Sequence, residues 1–381
     1  MRYLFRMYSQ IRHHDWVLSI VVFILISLGL TAIYSVDLSR GDTLIYFPTQ
    51  ILAFFLGACV LFIVGLVHVS FYRFSAKFFY AFAFVLLVSV LFFGVTIRGT
   101  TGWFRVAGFS FQPAEFAKVG LAIFLAWWIS LHGRKFYRWQ FVLTSGAITF
   151  VLVGLVMMQP DLGSASVLFC VWFGLLIFTG TKKRYIAGLI LLFLGVSIFS
   201  WFFVFKPYQK DRLLTFLQPD DPTRALTTAY NVNQSLIAVG AGQLFGRGLG
   251  FGSQSQLHFL PEAQTDFIFA VIAEELGFIG VCVLLFLYFL LLWRLVRIID
   301  HCSDDFSAYL VAGVALIFFV QLLVNVGGAL SILPVTGVTL PFVSYGGSSL
   351  ILNCFLIGLV QSVAASESFG ARDQFSHGMI G

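Results

Sequence analysis

Charge is scarce in this 381-residue chain: Asp, Glu, Lys and Arg make up 10% of it, against 59% apolar residues and a mean hydropathy of +0.95. A soluble globular protein carries roughly 25% charged residues. So apolar a chain could not also hide its hydrophobic excess from water, because more than half of an ordinary folded surface is already apolar. Disorder needs low hydrophobicity and high charge, so it is excluded as well. Cysteine is sparse: Cys59, Cys170, Cys282 and Cys354 fall in apolar runs and Cys302 in a connection, which implies neither a disulfide framework nor a CxxC metal or redox pair. No HExxH occurs, which argues against a histidine zinc site. No glycine run ends in GK[ST], which removes a P-loop. The lack of G-x-S-x-G leaves an α/β-hydrolase elbow without support. No basic cluster exceeds three residues, so a nucleic-acid surface is a poor reading of the net charge of +6.

What is abundant is long apolar sequence. A bilayer requires about 20 apolar residues per spanning helix, and ten runs qualify: about 16–36, 48–67, 78–95, 113–131, 141–158, 163–179, 185–205, 266–293, 307–331 and 343–365. They are continuously apolar, unlike the alternating strands of an outer-membrane barrel. The first run is too long for a signal-peptide core and has no small-residue cleavage site after it. The chain therefore reads as all-α: a polytopic helical bundle forming one integral-membrane domain over 1–381. Most connections are short, as between antiparallel neighbours. The exception is 206–265, whose helical stretch from Ala229 to Val239 suggests an ordered, partly membrane-hugging segment. A short tail, 366–381, follows the last span.

Basic residues set the orientation. Fourteen lie in alternate loops beginning with the N-terminus, among them Arg73, Lys77, Lys182, Lys183, Arg294 and Arg297. The short loops between hold three, Arg40, Arg98 and Arg105. The positive-inside rule then puts both termini in the cytoplasm and 206–265 outside.

Ionisable residues within a bilayer cost about 2.5–3.5 kcal/mol each on insertion scales and are functional candidates by default. Counting back from the cytoplasmic basic residues puts Glu115, Lys118, Asp161, Asp266, Glu274 and Glu275 on the outer side of three spans, Asp266 about 12 Å beyond Glu274 at 1.5 Å per residue. An outward-facing polar cavity is the simplest account. Each has a plainer reading. Glu115 and Lys118, at i and i+3, could pair for neutrality alone. Asp161 could cap the sixth span and Thr265 or Asp266 the eighth. Glu274 and Glu275 could bond neighbouring helices or loop backbone. Gln321 and Asn325, at i and i+4, read as interhelical glue. The glycines of Gly246-Arg247-Gly248-Leu249-Gly250, with Arg247, could cradle a phosphate as a backbone nest. Carboxylates and one or two cations at the outer leaflet suit acid–base chemistry on a lipid-borne anion, or its transport. Three readings stay open: an outer-leaflet transferase, a coupled transporter or flippase, and a scaffold for partner proteins.

Five runs go further. Leu260-Pro261-Glu262-Ala263-Gln264-Thr265-Asp266, continuing to Gly277, together with Phe111-Gln112-Pro113-Ala114-Glu115-Phe116-Ala117-Lys118, Gln159-Pro160-Asp161-Leu162-Gly163, Asn233-Gln234-Ser235 and Leu340-Pro341-Phe342-Val343-Ser344-Tyr345-Gly346-Gly347-Ser348-Ser349, resemble motifs of the SEDS family of bacterial shape, elongation, division and sporulation proteins, which includes RodA and FtsW. One departure stands out: where the family often has Arg-Trp after the third span, this chain has Gly102-Trp103, with Arg105 as the arginine that could substitute. The resemblance implies a peptidoglycan glycosyltransferase of the bacterial inner membrane that polymerises lipid II at the outer face with a class B penicillin-binding protein and other elongation or division proteins. It implies Asp266 as the essential aspartate, with Glu115, Lys118 and Asp161 at other sensitive positions. Arg247, Arg105, Gln234 and Glu262 complete the expected substrate-binding set. The reaction expected is attack by a sugar hydroxyl with Asp266 as general base. Lys118, Arg247 or a bound divalent cation would meet the charge on the departing pyrophosphate. The runs do not separate an elongation from a division role.

Overall fold

The computed structural model describes residues 14–39, 44–97, 100–106, 109–132, 136–203, 210, 214 and 228–377. Outside them lie Arg40, Arg98 and the first basic residues of the N-terminus, 206–209, 211–213 and 215–227 of the long loop, and 378–381 of the tail.

Ten apolar helices occupy the ten predicted spans. They are α1 (Trp16–Leu38), α2 (Tyr46–Leu66), α4 (Ala76–Phe93), α5 (Pro113–His132), α6 (Trp139–Met158), α7 (Leu162–Phe178), α8 (Lys183–Phe203), α11 (Ile268–Asp300), α12 (Asp305–Ala329) and α13 (Gly347–His377). Among the described residues, nine of these have the length and hydropathy to cross a membrane, and α7, at 17 residues, is a shorter apolar helix beside them. Short helices fill connections: α3 (Val69–Phe74), α9 (Thr228–Ala241) and α10 (Ser253–Gln256). α9 matches the helical stretch expected in the long loop, while α13 continues past the predicted end at 365 into the supposed tail. Aspartates begin three helices by accepting N–H bonds: Asp15 from Leu18 (3.0 Å), Asp161 from Ser164 (2.9 Å) and Asp304 from Ser307 (3.4 Å).

α5, α12 and α13 form the interior. The buried faces of α5 and α12 meet, a Cβ at Gly313 lying 3.5 Å from that of Ala122. α13 runs against α2, where small residues permit backbone approach: a Cβ at Gly358 would come 2.7 Å from Val64. α8 contributes no buried side chain. Two features were not read from the sequence. First, a three-stranded antiparallel ribbon, β1 (Val95–Ile97), β2 (Thr100–Val106) and β3 (Phe109–Phe111), joins α4 to α5, with Val95 opposite Trp103 and Phe104 opposite Phe111. Second, α11 is broken at Gly277 (φ 68°, ψ −166°). Within hydrocarbon, backbone groups freed by such a break need partners inside the protein. The glycine-rich loop supplies them. Phe278 and Ile279 N–H donate to the Gln243 and Leu244 carbonyls (2.8 and 3.2 Å), and Arg247 and Gly248 N–H donate to those of Glu274 and Glu275 (3.0 Å each). A Cβ at Gly277 would sit 2.2 Å from the Gly246 nitrogen, so no other residue fits.

Candidate active site

Four of the five motif runs are bonded to one another at the ribbon end of the bundle. Asp266 does not lie in α11 as expected, and neither it nor Thr265 caps it: the helix starts at Ile268, after Phe267 and without a side-chain cap. Asp266 sits instead on a turn opened by Glu262 (φ 56°), whose carbonyl accepts from the N–H groups of Thr265 (3.1 Å), Asp266 (3.2 Å) and Phe267 (3.4 Å). The Glu262 carboxylate also accepts from Thr265 Oγ1 (3.2 Å), so Glu262 shapes the turn that presents Asp266. Two bonds bind this turn to the 340–349 run, from Tyr345 N–H to the Gln264 carbonyl (2.8 Å) and from Ser344 Oγ to the Thr265 carbonyl (2.6 Å).

Glu115 and Lys118 form a buried ion pair at 2.8 Å on the first turns of α5. Ser349, at the start of α13, donates to the same Glu115 oxygen (3.1 Å), and its hydroxyl also lies 3.2 Å from Thr339 Oγ1. Asp161 caps α7 as the plainer reading expected, and its second oxygen accepts from Gln112 Nε2 (3.0 Å), joining the 111–118 and 159–163 runs. Burial pushes the Asp161 carboxyl above its usual range and the charge of Glu115 adds to this, while bonds from Ser164 and the charge of Lys118 act against it.

A strap of residues 335–339 links these groups to Asp266. A Cβ at Gly163 would lie 2.7 Å from the Thr336 carbonyl, so the strap rests on the start of α7 beside Asp161. On its other side a Cβ at Gly337 would be 3.8 Å from Asp266 Oδ2. Asp266, Asn325, Thr336 and Gly337 help line a cavity of about 10 Å³, room for a single water. Asp266, Asp161 and, through Ser349 and Thr339, the Glu115–Lys118 pair thus border one segment.

The other expected residues stand apart. Arg247 is exposed, its guanidinium bonded to Ser253 Oγ (2.9 Å) and the Ala241 carbonyl (3.4 Å). The phosphate nest is not formed. The N–H groups of Gly246, Arg247, Gly248, Gly250 and Phe251 are all bonded within the protein, chiefly to the broken helix and its carboxylates, so they do not converge on a ligand. Glu274 accepts from Gln254 N–H (2.9 Å), Ser255 N–H (3.2 Å) and Ser253 Oγ (3.3 Å), and Glu275 accepts from Ser35 Oγ and Gly250 N–H. Both therefore hold the loop, as one reading allowed. Arg105 is exposed on β2 opposite Ser110. Gln234 is partly exposed on α9, next to Ser235, whose hydroxyl donates to the Ala329 carbonyl (2.8 Å) one residue beyond the cavity-lining Gly328. Gln321, expected to join helices, is buried with both amide atoms unpartnered among the described residues. Gln112 and Ser349, quoted in the motifs but not singled out, prove to be direct partners of the carboxylates. Their signal was a polar side chain beside a helix start in each run. Among the described residues no three His, Cys, Asp or Glu side chains converge as a metal site.

Comparison with known proteins agrees with the resemblance. Residues 15–369 match the family "Cell cycle protein", named for FtsW, RodA and SpoVE. The chain is 36% identical over 360 residues to stage V sporulation protein E of Bacillus subtilis strain 168, covering 92% of this chain and 96% of that one. It is 37% identical over 311 residues to the peptidoglycan glycosyltransferase MrdB of Escherichia coli K12, covering 81% and 82%. Its fold is similar to a chain solved in a peptidoglycan synthase complex that coordinates polymerisation and crosslinking, with TM-score 0.79, 33% identity and coverage of 93% and 98%. A multi-pass helical membrane protein carrying these five motif runs, and similar along nearly its whole length to these relatives, belongs to the SEDS family of FtsW, RodA and SpoVE.

Proposed function

We propose that this chain, a peptidoglycan glycosyltransferase of the SEDS family, polymerises lipid II at the outer face of the cytoplasmic membrane with Asp266 as general base, in company with a class B penicillin-binding protein. The ribbon end is the outer end, in keeping with the excess of basic residues in the alternate loops. The observation that carries the reading is the strap 335–339, which has Asp266 against one side and the Asp161 and Glu115–Lys118 group against the other. A sugar hydroxyl is a weak nucleophile, so a carboxylate within hydrogen-bond reach takes its proton as the oxygen attacks the anomeric carbon. The bond from that carbon to the pyrophosphate oxygen breaks, the configuration inverts, and the pyrophosphate leaves with the electron pair. Lys118, fixed by Glu115 in a low-dielectric setting, is a preorganised cation for that growing charge.

The test is lipid II supplied to the purified chain with its partner, with glycan polymer measured. Asp266→Asn, confirmed to be folded, is expected to lower the rate by about 10²–10⁴, the usual contribution of a general base. Retained polymerisation in this variant refutes the base assignment. Lipid translocation without polymer refutes the polymerase reading.

A further inference from the structure

We propose that Asn325 is a positioning residue for Asp266, an inference that rests on the function proposed above. Asn325 is buried one turn before the end of α12. Its Nδ2 group donates twice, to the carbonyl of Asp266 (3.1 Å) and to that of Val338 (2.8 Å). Those carbonyls belong to the two walls of the small cavity, the turn carrying Asp266 and the strap. An amide has two N–H donors, and both are used here.

The tie completes a pattern. Three consecutive carbonyls accept bonds from outside their own turn: Gln264 from Tyr345 N–H, Thr265 from Ser344 Oγ and Asp266 from Asn325. The first two donors lie on a loop. The third stands on a long helix packed into the interior, and it alone of the three also grips the strap. Because α11 begins only at Ile268 and without a side-chain cap, helical structure does not fix residue 266. A base must be held within about 0.5 Å of its productive position, and a 1 Å displacement can cost about 10²-fold in rate. Asn325 therefore sets where the Asp266 carboxylate stands relative to the strap without touching substrate.

The test uses the chain with its partner and lipid II, comparing Asn325→Asp, Asn325→Leu and Asp266→Asn. Asp keeps the shape and loses both donors. Leu loses them without burying a charge, so it is expected to fold even where Asp does not. Each folded Asn325 variant is expected to lose kcat by at least about tenfold with KM within about twofold, the signature of an interaction that matters in the transition state. A folded variant of either kind with kcat within about twofold of the parent overturns the proposal. So does failure of both to fold, since the residue is then a structural requirement. Activity retained by Asp266→Asn would instead overturn the base assignment, so the two failures are distinguishable.

Discussion

Lys118→Met removes the cation from an ion pair whose side chains are only 3% and 7% exposed. Glu115 would keep one bond, from Ser349 Oγ at 3.1 Å, which cannot compensate a buried charge. Breaking such a pair from one side costs about 3–5 kcal/mol. Replacing both partners behaves differently. Glu115→Gln with Lys118→Met keeps the volume and leaves Gln able to accept from Ser349, and such replacements are often close to neutral. The single Lys118 variant should therefore be less stable than the double, by about 2–4 kcal/mol, a non-additivity that a double-mutant cycle measures directly. Denaturant unfolding in detergent micelles, followed by tryptophan fluorescence, is the assay. Polymerisation by the same samples separates stability from chemistry: the double variant is expected to be folded yet slower by about 10²–10³, the cost of removing one preorganised charge-stabilising group. A Lys118→Met protein as stable as the double variant would refute the claim that these charges are desolvated together.

Two further outcomes follow from the same geometry. Gln321→Leu removes a buried amide with no partner among the described residues, so it should stabilise the protein by about 1–3 kcal/mol in unfolding experiments and leave polymerisation unchanged; a loss of stability would show that the amide is satisfied. Because the fold holds the Asp161 carboxyl above its ordinary range, it favours the protonated form. That contribution is fully present below about pH 4, the unfolded value, and is lost as pH rises through the folded value. The stability difference between parent and Asp161→Asn, which still offers an oxygen to Ser164 N–H, should therefore shift against the parent as pH rises from about 4. A difference flat in pH would contradict the assigned burial.

The ten helices were legible because lipid imposes one rule, a long unbroken apolar run, and each run announces itself without reference to any other. The cap at Asp161 and the pairing of Glu115 with Lys118 were legible for a similar reason, since both are local spacings. What lay hidden depends on contacts far apart in sequence. The eighth run reads as one helix because Gly277 differs from a tolerated helical glycine only through the loop packed against it, more than 25 residues earlier in the chain. The glycines at 246–250 carry the pattern of an anion nest, and the pattern is genuine in that the glycine N–H groups are bonded; their acceptors are the protein's own carbonyls, the Ser35 hydroxyl and the Glu275 carboxylate. The ribbon at 95–111 was missed because short strands beside apolar helices leave no periodicity long enough to read. Asn325 was assigned to helix contacts because i, i+4 spacing says which face a residue occupies and nothing about the loops that fold over it.

The carboxylates at the ribbon end divide by what they accept, and the division explains why Asp266 can be held still. Among the described residues no cation is bonded to the buried Glu274 and Glu275, an arrangement that calls for hydrogen-bond donors to replace lost solvation. Backbone N–H and hydroxyl groups of residues 250–255, with Ser35, do so for both oxygens of Glu274 and for one oxygen of Glu275, whose other oxygen has no partner among the described residues. The loop that offers these donors also fills the break at Gly277, so neither part can move without exposing the other's polar groups to an apolar surrounding. Helix α11 thereby gains a rigid first segment, Ile268 to Glu275, directly after the turn that carries Asp266. The 344–345 loop and Asn325 hold the same turn from other directions. Two acids spent on structure thus support a third whose carboxylate borders the cavity, and charge too scarce to line a broad polar site is enough to fix one carboxylate in place.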